Sequence, residues 1–189
     1  MNSFQQRCPW CGIDPLYVKY HDEEWGVPVH DDQKLFELLQ LEGAQAGLSW
    51  IIALRKRESY RAAFHNFDPH KIARYTETDV ARLMANPGII RNRLKVTGTI
   101  ASAKAYLDVL DKEGSFDNFL WQFVDGRTIR SKLRSMSDIQ STSPESDHMS
   151  KTLKKRGFKF IGSTICYAFM QASGMFNDHL LSCYRYKQV

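Results

Sequence analysis

No stretch of this 189-residue chain approaches the ~20 consecutive apolar residues that a membrane helix requires. The opening residues, Met1-Asn2-Ser3-Phe4-Gln5-Gln6-Arg7, hold no apolar block, so no secretory signal is read there. No segment repeats at a spacing of roughly 20–50 residues, which excludes a solenoid or propeller. Convincing apolar–polar alternation is missing, as is any Asn-Gly turn between alternating runs, so the sequence offers no strand pairing. With 43% hydrophobic and 12% aromatic residues and only six prolines, it is neither a disordered tail nor a fibre. What remains is a globular protein expected in the cytoplasm, of a length that one hydrophobic core can support. We read one domain over residues 1–189, with room for two lobes sharing a boundary.

The charge excess is small: 26 Lys and Arg against 21 Asp and Glu, a net of +5. Its distribution says more. From Lys151 to Lys159 the chain reads Lys-Thr-Leu-Lys-Lys-Arg-Gly-Phe-Lys, five cations without an acid. Two shorter clusters, Leu54-Arg55-Lys56-Arg57 and Arg91-Asn92-Arg93-Leu94-Lys95, are read near helix ends, where they suit either phosphate contacts or a solvated face. Cysteine is scarce. Cys8, Cys11, Cys166 and Cys183 number enough for two disulfides, but in a reducing compartment such residues more often bind metal or do redox chemistry. Cys166, among apolar neighbours, reads as an inert core thiol.

The periodicity is helical almost throughout, giving an all-α chain of roughly eight helices. Leu35, Leu38 and Leu39 repeat at i, i+3 and i+4 behind Asp31 or Asp32 as a cap; Val80, Leu83 and Met84 follow a cap at Thr78-Asp79. Val96, Ile100, Ala103 and Leu107 form a stripe ending at Gly114, and Phe116, Phe119, Leu120 and Phe123 one ending at Asp125-Gly126. The polar stretch Ser141–Asp147 reads as a flexible linker into a basic helix from Lys151.

One further step along the first stripe, at i+7, stands Glu42. A carboxylate on a buried face is neutral, paired or open to a pocket; alternatively the helix stops there, because Gly43 follows. Beyond lies Ala44-Gln-Ala-Gly47-Leu48-Ser49-Trp50, a small-residue turn with Ser49 suited to capping the next helix. An acid and an aromatic flanking one tight turn suit a flat, cationic, hydrogen-bonding ligand, although Trp50 also reads as plain core.

His179 and Cys183 are spaced i, i+4, so on a helix both point one way and fill two tetrahedral positions of a zinc ion. Spacing favours Cys8-x2-Cys11 for the other two ligands, with Cys8 and His21 as the rival pair. Cys-Pro-Trp-Cys also resembles a dithiol redox motif, although the strand-to-helix setting of such motifs is missing. Either zinc set would clip the two ends of the chain together.

The segment Lys155–Ile165 joins a basic helix to an apolar one. Gly162 directly before Ser163-Thr164 places free backbone N–H groups at a helix start, a geometry that grips phosphate without reading sequence. It resembles the helix-hairpin-helix of DNA repair enzymes, with Phe160 where the first of the usual two glycines stands. Together with Asp14-Pro-Leu-Tyr-Val-Lys-Tyr-His-Asp22, Glu24-Trp-Gly-Val-Pro28, Leu41-Glu-Gly43, Gln45-Ala-Gly-Leu-Ser-Trp50 and Lys154-Lys-Arg-Gly-Phe-Lys-Phe160, the chain from Cys8 to Cys183 resembles the bacterial DNA-3-methyladenine glycosylase I family.

That resemblance implies an all-α helix-hairpin-helix glycosylase fold and one structural zinc held by Cys8, His21, His179 and Cys183, leaving Cys11 as an extra. It implies a base pocket with Glu42 as the catalytic candidate, for water activation or for recognition alone, and with Tyr20, Trp50 and Tyr17 holding the base. It makes Leu48 a wedge into the duplex, and Lys159, Gly162 and Thr164 contacts to DNA. The implied reaction is hydrolytic excision of 3-methyladenine from alkylated double-stranded DNA by a monomer. Asp178, beside a zinc ligand, would orient that ligand, and with no Lys after the hairpin a lyase step is not expected. Two other classes fit parts of the sequence: a zinc-clipped DNA-binding protein without activity, and a zinc enzyme with an open metal position.

Overall fold

The computed structural model describes residues 5–189; the segment 1–4, where the reading of the opening residues begins, lies outside the described residues. Nine α-helices are present among the described residues: α1 (Pro15–Glu23), α2 (Asp32–Gln45), α3 (Trp50–Ala63), α4 (Pro69–Ile72), α5 (Glu77–Ala85), α6 (Arg93–Glu113), α7 (Phe116–Trp121), α8 (Pro144–Lys155) and α9 (Ser163–Ala172). None of them is long and apolar enough to cross a membrane.

Helix α2 is the axis of the fold. Leu35, Phe36, Leu38, Leu39 and Leu41 are all buried, and α3, α6, α7 and α9 pack around it. A helix that buries nine of its fourteen residues, Gln40 and Glu42 among them, belongs in a core. Its start shows how two adjacent acids divide the work. Asp31 caps α2 by accepting from Lys34 N at 2.7 Å, while Asp32 reaches away to cap α7 through the backbone N–H groups of Phe116 and Asp117, at 3.0 and 2.7 Å. Its other end is closed by Lys95 of α6, whose Nζ donates to the carbonyls of Ala44 and Ala46 at 2.8 and 2.7 Å. Those carbonyls belong to the last turn, where a cation is favourable.

Several local expectations shift. The start of α5 lies two residues earlier than read, because Thr76 and Asp79 form a reciprocal capping box. Residues 141–147 are not a linker: Ser143 caps α8, Pro144 takes its first position and Ser146 closes another capping box. The chain is helical but not wholly so. β1 (Ile129–Arg130) and β2 (Phe176–Asn177) pair in parallel, Ile129 opposite Phe176. Two residues are too short for alternation to register in sequence. Gly174 (φ 77°) leads into β2, and a Cβ there would lie 2.4 Å from Pro28 N, so only glycine lets the chain pass this close.

Candidate functional site

Side-chain donor atoms of Cys8, His21, His179 and Cys183 lie within 4.8 Å of one another, all four residues buried. Cys8 precedes a single 3-10 turn (Pro9–Cys11), His21 stands on α1, and His179 and Cys183 lie beyond β2. The last pair is brought together by a turn closed by Cys183 N to Leu180 O at 2.8 Å, not by the helix that the i, i+4 spacing implied.

The two imidazoles present opposite ring nitrogens. His21 Nδ1 lies 2.8 Å from Asp22 Oδ1, and its Nε2 faces Cys183 Sγ at 3.4 Å. His179 Nε2 lies 3.1 Å from the Trp25 carbonyl, and its Nδ1 faces Cys8 and Cys183 Sγ at 3.6 Å each. A carboxylate and a carbonyl only accept, so each fixes the ring proton on its own side and leaves the other nitrogen a lone pair for the cluster. Against the cost of burial, Asp22 is held down to about 2 by hydrogen bonds from Arg7 and His21. The Cys183 thiol is pulled well below its ordinary value, chiefly by the hydrogen bond from Cys8. Two thiols and two imidazoles so prepared fit a closed tetrahedral metal site. Cys11 stands outside the group, its Sγ donating to the Cys8 carbonyl at 3.2 Å, so the sequence-spacing favourite is corrected.

The same elements build a cavity of about 200 Å3 on the other side of α1. Tyr17 and Tyr20, three apart on α1, face it while His21 faces the metal cluster. Trp50 starts α3 with its ring 5.5 Å from that of Tyr20. Glu42 is 4% exposed and makes no hydrogen bond among the described residues; burial alone pushes its carboxyl up to about 8. Helix α2 runs on to Gln45, past Gly43, which settles the choice between a pocket and a rim. Burial, and then the Glu42 charge, raise the Tyr17 and Tyr20 hydroxyls. A neighbouring cavity of about 220 Å3 holds Glu23, Glu24 and Asp31, but Glu24 is already paired with Arg57.

Sequence reasoning quoted Trp10 and Trp25 without giving them a place. Trp10 also lines the cavity, 5.1 Å from Tyr17 and 4.9 Å from Trp25, with its Nε1 buried and unpartnered. Its position between Cys8 and Cys11 was the available signal. Gln171 and Ala168 of α9 were missed, because nothing in the α9 stripe marks a pocket wall. Asp178 is corrected: it accepts from Tyr167 and Gln171 at 2.6 Å each and does not bond His179. Ser49 occupies the cap position of α3 without a capping hydrogen bond. Leu48 is 39% exposed on the turn beside the cavity, its N–H bonded to Gln45 O at 2.7 Å and its carbonyl to the Gln45 amide.

The three basic clusters part company. Residues 55–57 lie in the middle of α3, with Arg55 paired to Asp14, Arg57 to Glu24 and Lys56 bonded to the Pro87 carbonyl. In the second, Arg93 pairs with Glu77 and Lys95 caps α2. In the third, Arg156 pairs with Glu113, whereas Lys151, Lys154, Lys155 and Lys159 have no ion pair among the described residues. The hairpin there takes the shape its sequence obscured. Phe160 adopts φ 54°, the left-handed conformation a glycine would take. Its ring rests against Gly98, where a Cβ would lie 2.8 Å away, and its Cβ and carbonyl against Gly43. Gly162 caps α9, and the backbone N–H groups of Ser163, Thr164 and Ile165 donate to nothing within the described residues.

A cluster that could hold a metal ion and an aromatic pocket around one unpaired acid thus lie on either side of α1, and the basic segment with open N–H groups leads into α9, which walls the pocket. A family model described as methyladenine glycosylase matches residues 10–186. The DNA-3-methyladenine glycosylase 1 of Escherichia coli K12 is 52% identical over 178 residues, covering 94% of this chain and 95% of that one. A crystal structure of a 3-methyladenine DNA glycosylase I superimposes with a TM-score of 0.93 at 54% identity, covering 95% of this chain and 98% of that one. A Staphylococcus aureus structure, reported as the basis of 3-methyladenine recognition by that enzyme, superimposes with a TM-score of 0.92 at 38% identity, covering 96% and 97%. With that family model spanning residues 10–186, this chain belongs to the methyladenine glycosylase family.

Proposed function

We propose that the protein is a monofunctional glycosylase that hydrolyses the N-glycosidic bond of 3-methyladenine in alkylated double-stranded DNA. The observation that carries the reading is Glu42: a buried, unpaired carboxyl among electron-rich ring faces is costly for folding and suits a cationic base. Methylation at N3 gives adenine a positive charge and makes it a good leaving group. The base must leave the stack before it can be held, at a cost of a few kcal/mol that is least for a damaged base. Leu48, exposed on its braced turn, fills the space left behind. Trp50, Tyr20 and Tyr17 take the base between them, and Glu42 accepts from its amino edge.

As the bond from C1′ to the base breaks, its electron pair goes to the purine and cancels the positive charge. A water oxygen then bonds to C1′ and its proton is lost, with Glu42 the acceptor beside the base. No lysine lines the cavity, which supports hydrolysis over an imine step. Cys8, His21, His179 and Cys183 would hold one zinc ion, which would supply structure alone: four protein donors leave no open position for a reacting group. We place this activity in a single domain over residues 1–189, two lobes meeting at the pocket, working as a monomer in the cytoplasm. Four unbridged cysteines support a reducing compartment.

Free 3-methyladenine should appear when the protein is incubated with methylated duplex. A DNA-binding protein without activity would bind and release nothing. The hairpin holds the backbone, so Lys159→Ala and Gly162→Asp should weaken damaged and undamaged duplex alike, with Thr164 N–H among the lost contacts. Each lost phosphate contact lowers the slope of log affinity against log salt by about 1. An added Cβ at Gly162 meets open space and Asp is a good cap, so Gly162→Asp tests charge without disturbing the fold. Unchanged salt slopes in both variants would remove the hairpin from the interface.

A further inference from the structure

The wall that α9 gives the cavity is backed by a buried polar group with no part in the chemistry above. Asp178 is fully buried. Its Oδ2 accepts from the Tyr167 hydroxyl and from Gln171 Nε2, both at 2.6 Å, and its Oδ1 has no partner. Tyr167 and Gln171 are four apart on α9 and so share the face toward Asp178. Gln171 is half-buried and lines the cavity together with Glu42, Tyr20 and Trp50.

A carboxylate only accepts, so Asp178 decides which way the Gln171 amide turns. Its NH2 faces Asp178. Its Oε1, which takes no hydrogen bond within the described residues, is the polar atom left for the cavity. Turning the amide over would set oxygen against oxygen. The backbone is held as well, the Gln171 carbonyl accepting from Gly26 N at 3.2 Å and Gly174 N at 3.3 Å.

Glu42 cannot by itself tell an amino edge from an oxo edge. Burial pushes its carboxyl up to about 8, so near neutral pH it donates as readily as it accepts. A group of that kind suits either edge, whereas a locked amide oxygen suits only one.

We propose that Gln171, its amide turned by Asp178, is a specificity-determining residue whose Oε1 accepts from the 6-amino group of a 3-methylated purine and repels a 6-oxo group. Asp178 is the positioning residue behind it. The inference rests on the glycosylase reading above.

The test compares the affinities of free 3-methyladenine and free 3-methylhypoxanthine, which carries oxygen in place of the amino group. The parent should favour the amino base by about tenfold or more, because the oxo base leaves buried polar groups unpaired. Gln171→Leu keeps bulk and removes the acceptor, and should bring the two affinities to within about threefold of each other. Asp178→Asn frees the amide to turn, so 3-methylhypoxanthine should bind more tightly and 3-methyladenine less. Mere structural damage lowers both together and leaves the ratio alone. An unchanged ratio in Gln171→Leu overturns the proposal, and that variant decides the matter even where Asp178→Asn does not fold. If the parent binds neither base and releases none from methylated duplex, it is the glycosylase reading that fails.

Discussion

Cys183→Ser is expected to bring zinc content from near one ion per chain to near zero and to lower the melting temperature by more than about 10 °C. Structural zinc contributes ~10–16 kcal/mol in small zinc-folded peptides. Even about 4 kcal/mol of that moves Tm by roughly 8–16 °C in a domain of this size. The segments it joins have little else. Around Cys8 and Cys183 the buried apolar cluster consists of those two residues and Leu180. His21→Ala and His179→Ala should lose the metal likewise, whereas Cys11→Ser should retain it, since its thiol faces a carbonyl outside the group. Elemental analysis of the purified variants reads this directly. Retention of zinc in His21→Ala with loss in Cys11→Ser would return the fourth position to the cysteine that spacing favours. Excision should fall with the metal, because Trp10 stands two residues after Cys8 and Tyr20 precedes His21.

Trp50→Ala should lower the affinity for free 3-methyladenine by roughly 5–150-fold, since base stacking is worth ~1–3 kcal/mol. Lesion-free duplex should bind as before. Glu42→Gln isolates the charge: a hydrogen bond to a charged partner is worth ~1.5–3 kcal/mol against ~0.5–1.5 for a neutral one, so kcat/KM should drop about 5–30-fold. Its pH behaviour is the sharper readout. The free protein holds a proton on Glu42 up to about pH 8, and a cationic base prefers the ionised form. Affinity for the methylated duplex should therefore rise with pH toward 8 and be flat in Glu42→Gln.

Stability runs the opposite way. The folded value lies above the unfolded 4.5, so the folded state keeps a proton that the unfolded chain gives up. Stability then declines as pH rises from about 4.5 to about 8, by at most ~5 kcal/mol. Glu42→Gln should melt higher than the parent at pH 8 and alike at pH 4. Equal excision, equal base affinity and equal melting at pH 8 would reduce Glu42 to a helix-end residue.

What the sequence disclosed and what it hid divide by the range of the interaction. The stripe through Leu35, Leu38 and Leu39 carried Glu42 into the interior because a helix repeats its own geometry over 14 residues. Caps one turn long were legible to within two residues, as Asp31 and Thr76 illustrate. The joining of residue 8 to residue 183 was read from the sequence, whereas the remaining ligand was not fixed by it, since spacing favoured Cys11 over His21. His179 and Cys183 were paired for the wrong reason, a helix where there is a turn. Phe160 broke the glycine pattern of the hairpin, yet it takes the glycine conformation, because Gly43 and Gly98 elsewhere in the chain make room for it. Gln171 and Trp10 became visible only with the cavity, which no single segment encloses.

Helix α9 joins the two halves of the reaction in a single rod. Its first turn offers the open N–H groups, and its last turn carries Gln171 at the wall of the cavity. Ten residues at 1.5 Å each make that rod about 15 Å long, and it does not stretch. Along one strand, 15 Å corresponds to roughly four nucleotides at 3.4 Å each. If the open N–H groups hold a phosphate and the cavity holds the base, as proposed, the helix is a ruler that fixes the distance between the two. A lesion nearer than about four nucleotides to a break, on the hairpin side, leaves the ruler's far end holding nothing. Such damage would escape until the strand is rejoined, so the length of one helix sets an order of events between excision and ligation.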